Sequence, residues 1–152
     1  MKIKLLFGML FPTMLFAQSI QVPTGFSVAE IAKNQGATRH ITVSKEGHVY
    51  AKLSKLKDGN GIVQLKDANQ DGVFESESLF GNYPGTGIMI DGEYFYASSN
   101  KGVFRYALNA KGEIADINKP ETIVDGLPDH GRDNAKPFVF DQGKKHIYVT
   151  IG

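Results

Sequence analysis

The chain has 152 residues, with 17 lysine and arginine residues against 16 aspartate and glutamate residues, and it contains no cysteine. A nearly neutral chain has no extended positive field, which disfavours nucleic-acid binding. The lack of cysteine excludes disulfide bonds, thiolate nucleophiles and thiolate-bound zinc, so stability has to come from packed secondary structure.

The first residues have the pattern of a secretory signal peptide. Lys2 and Lys4 precede an apolar stretch at residues 5–16, which is short for a membrane span. We expect a signal peptide over residues 1–17, with an uncleaved anchor as the alternative. The mature protein, residues 18–152, is then periplasmic or secreted, and no second apolar run predicts stable membrane insertion.

Beyond the leader, short apolar runs alternate with clusters of Gly, Asn, Asp and Lys, and no segment combines a helical period with helix caps. This pattern predicts an all-β fold. The predicted strands are Phe26–Ala32, His40–Val43, His48–Leu53, Gly61–Leu65, Ser78–Phe80, Gly87–Ile90, Tyr94–Ser98, Gly102–Leu108, Glu121–Val124, Pro137–Phe140 and His146–Ile151.

The strand pattern repeats along the chain. Tyr50, Tyr96 and Tyr148 occupy the same place in three successive units, 46 and then 52 residues apart. This period is close to the ~40–50 residues of one four-stranded propeller blade. The repeat therefore predicts a partial β-propeller of about two and a half blades, whereas a closed propeller needs ~4–8 blades. We expect residues 18–152 to be the N-terminal part of a longer, truncated propeller domain.

One loop resembles the start of a calcium-binding loop. Asp67, Asn69 and Asp71 place oxygen atoms at alternate positions, and Gly72 follows at the sixth position. These three side chains are the predicted metal ligands. The twelfth position, where a bidentate glutamate is expected, is Ser78. The alternative is a polar hairpin connection in which the Asp and Asn side chains bind their own backbone.

Histidine is the usual general base near neutral pH, and the chain has four. His48 and His146 each lie two residues before a repeat tyrosine, which indicates a structural role. His40 follows Arg39 at the start of an inner strand. His40 has either a packed structural role or a role in a functional site, and the sequence leaves both open.

The longest irregular polar segment, residues 126–136, leads directly into an inner strand. His130, Arg132, Asp133 and Lys136 would supply a base, two cations for an anionic ligand and a proton acceptor. Loops at the mouth of a propeller often carry binding groups, although an ordinary exposed loop has the same composition.

At this loop the sequence resembles the soluble quinoprotein glucose/sorbosone dehydrogenase family, most of all its sorbosone-dehydrogenase-like branch. The segments that carry the resemblance are residues 22–26, 61–67, 69–72, 85–88, 126–130 and 148–152. The resemblance implies a six-bladed propeller, export, and oxidation of a sugar or aldose hydroxyl by hydride transfer to pyrroloquinoline quinone (PQQ) held with calcium. The implied partner is a small-molecule sugar substrate, and the electron acceptor stays unassigned.

The resemblance also implies site residues. Lys136 fits the family's basic residue that opens the inner strand, but Asp133 stands where a base histidine is expected, and His130 lies three residues earlier. We therefore expect His130 or Asp133 as the catalytic base, and Arg39 and Lys136 as cofactor-binding residues. The truncated chain alone is expected to be inactive. The alternative function is a non-catalytic propeller that binds carbohydrate or protein partners.

Overall fold

The computed structural model describes residues 20–131 and 136–151. Within these residues the chain forms β-strands and no helix, which confirms the all-β prediction. Accordingly, the described part has no helical segment of the length and apolarity that crossing a membrane requires. The predicted signal peptide and Asp133 lie outside the described residues.

The strands of the described residues fall into three antiparallel sheets, with strand orders β1-β2-β3-β4, β5-β6-β7-β8 and β10-β9. We call them sheets 1, 2 and 3. The strand bounds are Thr38–Val43 (β1), Val49–Lys57 (β2), Asn60–Lys66 (β3), Ser76–Phe80 (β4), Ile88–Asp91 (β5), Tyr94–Ser98 (β6), Val103–Ala107 (β7), Glu121–Val124 (β8), Phe138–Phe140 (β9) and Ile147–Val149 (β10).

Ten of the eleven predicted strands are present, and the prediction of a strand at Phe26–Ala32 is wrong. Chain contacts separate a first unit, residues 1–30, from a second, residues 31–152. In the first unit the Phe26 amide donates to the Pro23 carbonyl at 3.1 Å, which closes a turn. Phe26 and Val28 alternate as a strand would, but no described strand pairs with their backbone. Alternation alone therefore gave the wrong prediction.

The pairing register defines two ends in each sheet. Thr38 pairs with Leu53, and Ile62 pairs with Phe80, so these residues share the end at which β1 begins. We call this the entry end, because the connection at residues 81–87 leaves sheet 1 and enters sheet 2 there. The hairpins that follow β1, β5 and β9 lie at the opposite end, the far end.

The main core lies between sheets 1 and 2. Tyr50, Ile62 and Phe80 of sheet 1 meet Phe95 and Tyr106 of sheet 2, and all five are buried. Tyr50 and Phe95 have ring centroids 4.8 Å apart, and Phe80 meets Tyr106 edge to face at 5.4 Å. Each fully buried side chain of this size contributes about 1.5–3 kcal/mol, so this cluster is the main source of the stability that joins the sheets.

The repeat tyrosines keep one orientation through the chain. Tyr50 packs on sheet 2, and the Tyr96 ring lies 5.0 Å from the Phe140 ring of sheet 3. Tyr148 is at the same place in sheet 3, where it is 60% exposed beside its strand partner Val139, 57% exposed. The repeat read from the sequence thus corresponds to a repeated packing contact, with the third copy on an open face.

Candidate functional site

The entry end gathers several of the side chains predicted from the sequence. Arg39 and His40 lie at the start of β1, and both are exposed. The ring Nδ1 of His40 lies 3.1 Å from the carbonyl oxygen of Thr86. Because a carbonyl only accepts hydrogen bonds, Nδ1 carries the proton, and Nε2 of the neutral ring is left as the basic atom.

Hydrogen bonds from two glycine amides hold the connection at residues 81–87, which carries Thr86. The Gly85 amide donates to the Leu53 carbonyl at 3.0 Å, and the Gly87 amide donates to the Ser98 hydroxyl at 2.8 Å. A Cβ at Gly87 would lie 2.6 Å from the Lys136 carbonyl oxygen, closer than real contacts allow. Only glycine therefore permits this approach, which brings the connection against the start of the third sheet.

The other predicted site residues divide between buried and exposed positions. Lys136 is fully buried at the entry to β9, so its side chain presents no surface to solvent. His130 is exposed and lies in a segment without regular structure. Arg132 and Asp133 lie outside the described residues. The structure brings His40 next to Thr86, and it gives His130 no comparable support.

Sequence reasoning missed a buried cation at the same end. Lys52 is fully buried between sheets 1 and 2, on the face of β2 that also carries Tyr50. Its Nζ donates to the Tyr83 carbonyl at 2.6 Å and to the Gly61 carbonyl at 3.3 Å, and it lies 4.3 Å from the centre of the Tyr83 ring. Desolvation lowers the pKa of Lys52 to about 7. The sequence signal was present: Lys52 occupies an inward position of the alternating strand.

The acidic loop between β3 and β4 is internally hydrogen-bonded. The two carboxylate oxygens of Asp67 accept from the amides of Asp71 at 3.1 Å and Gly72 at 2.8 Å. Asn69 donates its side-chain amide to the Asp71 carboxylate at 3.0 Å. Glu75 accepts from the Ala68 amide at 3.1 Å. These bonds are the ones that the polar-hairpin alternative requires.

The same loop also brings three carboxylates together. Asp67, Asp71 and Glu75 each offer an oxygen, and the three oxygens lie within 4.8 Å of one another. Two of them were predicted as ligands. Glu75, at the ninth position, was not, although its place in the loop was a readable signal. Because Lys66 pairs with Ser76, the loop lies at the far end of sheet 1, away from Arg39 and His40.

A family model described as TrAA12-like matches residues 20–152, which is most of the chain. The chain belongs to the TrAA12-like family. The match includes all three sheets and both ends described above. No curated protein matches this TrAA12-like chain at a significant level.

Solved structures share the fold of this TrAA12-like chain. The "holo form" of a pyranose dehydrogenase PQQ domain from Coprinopsis cinerea matches with a TM-score of 0.67 and 19% identity, over 87% of this chain and 32% of that one. Two structures of a Trichoderma reesei carbohydrate-active enzyme of family AA12, an iodide and a calcium structure, match with TM-scores of 0.58 and 0.57 and identities of 17% and 19%. Each covers 74% of this chain, and the chain covers 29% and 28% of them. The chain thus spans about a third of the length of the solved chains it matches.

Proposed function

We propose that this chain is part of an exported, PQQ-dependent oxidoreductase that oxidises a hydroxyl group of a sugar or aldose. The observation that carries the proposal is the TrAA12-like match over residues 20–152, and the likeness of the fold to a PQQ domain supports it. A sorbosone-like substrate, periplasmic or secreted location, and residues 18–152 as the start of the propeller domain are parts of the same proposal.

In this proposal sheets 1 and 2 are consecutive blades of a six-bladed propeller, and sheet 3 is the inner half of the next. The repeated contact of Tyr50 and Tyr96 with the following sheet supports this arrangement. A further sheet would cover Tyr148 and Val139, which are exposed on one face of sheet 3. The catalytic unit is then the whole ring, and the strands described above are inactive by themselves.

The chemistry of the entry end suits an anionic quinone. PQQ carries carboxylates, and a guanidinium binds a carboxylate through two parallel hydrogen bonds. Arg39 is the exposed cation at the start of β1, so it would bind the cofactor directly. Lys136 would act from its buried position beside Gly87, by adding positive potential behind the site. When bound, the quinone supplies the two-electron acceptor for the sugar hydroxyl.

The chain's own residues would move the proton. His40 has Nδ1 fixed by the Thr86 carbonyl, so Nε2 of the ring would take the hydroxyl proton of the sugar. His130 and Asp133 remain the bases that the family resemblance implies. The ordinary pKa of an aspartate side chain is near ~3.9, which makes aspartate a weaker base than histidine at neutral pH, so we rank Asp133 last.

The acidic loop is proposed as a structural calcium site. Three convergent carboxylates with the glycine turn at Gly72 are the ligand set that calcium prefers. Its place at the far end separates it from the proposed quinone site. A calcium ion there would pull Asp67, Asp71 and Glu75 together and stabilise sheet 1, without contacting the quinone.

The proposed function is tested on the natural full-length protein with added PQQ and calcium. A broad panel of sugars and aldoses should reduce an artificial electron acceptor, and calorimetry should detect quinone binding. His40→Asn should lower kcat while quinone affinity is kept, whereas Arg39→Ala should weaken quinone affinity. Quinone binding without turnover of any sugar would favour the non-catalytic alternative. Absence of quinone binding would contradict the proposal.

The calcium site has a separate test. Calcium should raise the melting temperature of the wild-type protein, and a chelator should reverse the change. Asp71→Asn should abolish the shift, and Asp58→Asn, in the exposed hairpin between β2 and β3, is the matched control. An identical melting temperature with calcium and with chelator would contradict the calcium site and support the polar-hairpin interpretation.

A further inference from the structure

A cleft of about 400 Å³ opens between sheets 1 and 2, on the side of β4 and β7. Asn60 of β3, Tyr83 of the connection, Phe104 and Tyr106 of β7, and Asn118 before β8 contribute to its wall. Its volume lies within the ~300–1,000 Å³ of small-molecule sites. Arg39 and His40, on β1, do not line this cleft, so it is distinct from the proposed quinone site.

The wall of the cleft carries no charge. Its described lining contains asparagine, aromatic, aliphatic, glycine and proline residues, and no lysine, arginine, aspartate, glutamate or histidine. Burial raises the pKa of the Tyr83 and Tyr106 hydroxyls, so both stay neutral. A second cleft at the far end, lined by Glu46, Asp67 and other charged side chains, has the opposite character. A neutral wall favours a neutral ligand, because a desolvated charge there would find no partner.

Aromatic rings form one part of the wall. The Tyr83 and Phe104 rings lie 4.7 Å apart and tilted by 36°, and both residues are half-buried. The Tyr83 hydroxyl is 3.0 Å from the Tyr106 hydroxyl. Lys52 is held against Tyr83 from inside the sheet interface. The rings are therefore fixed before any ligand arrives, which lowers the entropy cost of binding.

Amide groups form the other part. Asn60, Asn82 and Asn118 line the cleft, and Asn82 and Asn118 are exposed. The Asn60 amide also donates to the Asp58 carbonyl at 2.8 Å, so one of its donors is already used. Each amide offers two donors and one acceptor, a set that matches hydroxyl groups. Sugar rings have apolar C–H faces that pack on aromatic rings and a rim of neutral hydroxyls that pair with amides. We propose that this cleft binds a neutral saccharide, as a second carbohydrate site apart from the entry end.

This proposal stands without the quinone, so its test uses the full chain with no cofactor added. Neutral di- to tetrasaccharides built on glucose, xylose, mannose and galactose are the probes, with a uronic-acid oligosaccharide as the charged comparison. Saturation-transfer NMR finds the ligands, and calorimetry measures Kd. We expect one or more neutral saccharides to bind and the charged one to bind more weakly. Binding of none, or of the charged one alone, would overturn the proposal.

Variants then place the binding in the cleft. Phe104→Leu keeps an apolar side chain but removes the ring, and it should weaken binding about two- to tenfold. Asn118→Asp adds a charge at an exposed position, so it should weaken binding while the fold is kept, and it carries the test if Phe104→Leu fails to fold. Phe26→Leu, the same change at a residue that is 73% exposed and does not line the cleft, is the control and should bind as wild type. If Arg39→Ala weakens saccharide binding and the two cleft variants do not, the saccharide binds at the entry end. That result would refute the proposed saccharide site in the cleft.

Discussion

Replacing Lys52 with methionine tests whether a buried cation sets the pH dependence of stability. Lys52 is fully buried, and its described acceptors are two carbonyls and one aromatic ring, none of which carries a charge. Burial lowers the Lys52 pKa from 10.5 in the unfolded chain to about 7 in the folded protein. The folded state therefore loses this proton first as the pH rises.

The sign and size of the effect follow from proton linkage. Between pH 7 and 10.5 the unfolded chain holds the Lys52 proton and the folded protein does not, so the free energy of unfolding rises with pH. The slope is at most about 1.4 kcal/mol per pH unit, which gives up to about 2–3 kcal/mol between pH 7 and pH 9. The Tyr83 and Gly61 carbonyls favour the charged amine, so the measured gain should lie below this limit.

Urea denaturation followed by circular dichroism at pH 6 to 9 measures the slope. Wild type should gain stability across the upper part of this range, and Lys52→Met should lack that gain. Lys55→Met, an exposed position on the same strand, is the matched control and should keep the wild-type slope. The comparison uses slopes because methionine also leaves two carbonyls without a donor, at a cost of about 1–3 kcal/mol each at every pH. Equal slopes in wild type and Lys52→Met would refute the reasoning.

Three other substitutions test the contacts between sheets. Tyr50→Phe should lower stability by about 1–3 kcal/mol in urea denaturation, because the buried Gln64 amide loses its acceptor at 2.8 Å. Gly87→Ala should cost about 1–3 kcal/mol or more by the same assay, since its Cβ would lie 2.6 Å from the Lys136 carbonyl. Lys144→Met should change stability by less than about 1 kcal/mol, because its ion pair is largely exposed.

Each of these has an outcome that contradicts it. A Tyr50→Phe protein as stable as wild type would mean that the hydroxyl network contributes nothing. Gly143→Ala is the control for Gly87→Ala, because its Cβ would meet only side-chain atoms, the nearest of them an Asp141 carboxylate oxygen at 3.4 Å. Equal losses in the two glycine variants would mean that the close approach at Gly87 is not the cause of the loss. A large loss in Lys144→Met would show that the far-end ion pair with Asp91 joins sheets 2 and 3.

The sequence predicted most strands, because alternation and turn residues act locally. β6 and β8 were predicted with their observed bounds, Tyr94–Ser98 and Glu121–Val124. The exception is Phe26–Ala32, because a strand needs a partner and no local pattern reveals one. The tyrosine period predicted the repeat, and the structure adds that Tyr50 and Tyr96 each pack against the following sheet.

The candidate site was less predictable, because it depends on contacts between distant residues. Asp67 and Asp71 were read from a local loop pattern, and the structure adds Glu75 beside them. The contact of His40 with Thr86 joins residues 46 positions apart, and no local pattern in either segment predicts it. Lys52 and the cleft beside Phe104 depend on two sheets meeting, so strand prediction alone could not find them.

The contacts between sheets 1 and 2 divide into a centre that supplies energy and two ends that supply alignment. The aromatic centre around Phe80 is non-directional and would tolerate a small shift of one sheet against the other. The ends would not. Lys52 donates to the Tyr83 carbonyl at the entry end, and the Tyr50 hydroxyl donates to the Gly112 carbonyl, 2.7 Å away, towards the far end. A shift would break both buried hydrogen bonds and leave their groups unsatisfied, at about 1–3 kcal/mol each. Burial therefore disfavours the charged form of Lys52, but the hydrogen bond from Lys52 to the Tyr83 carbonyl fixes the connection that brings Thr86 to His40.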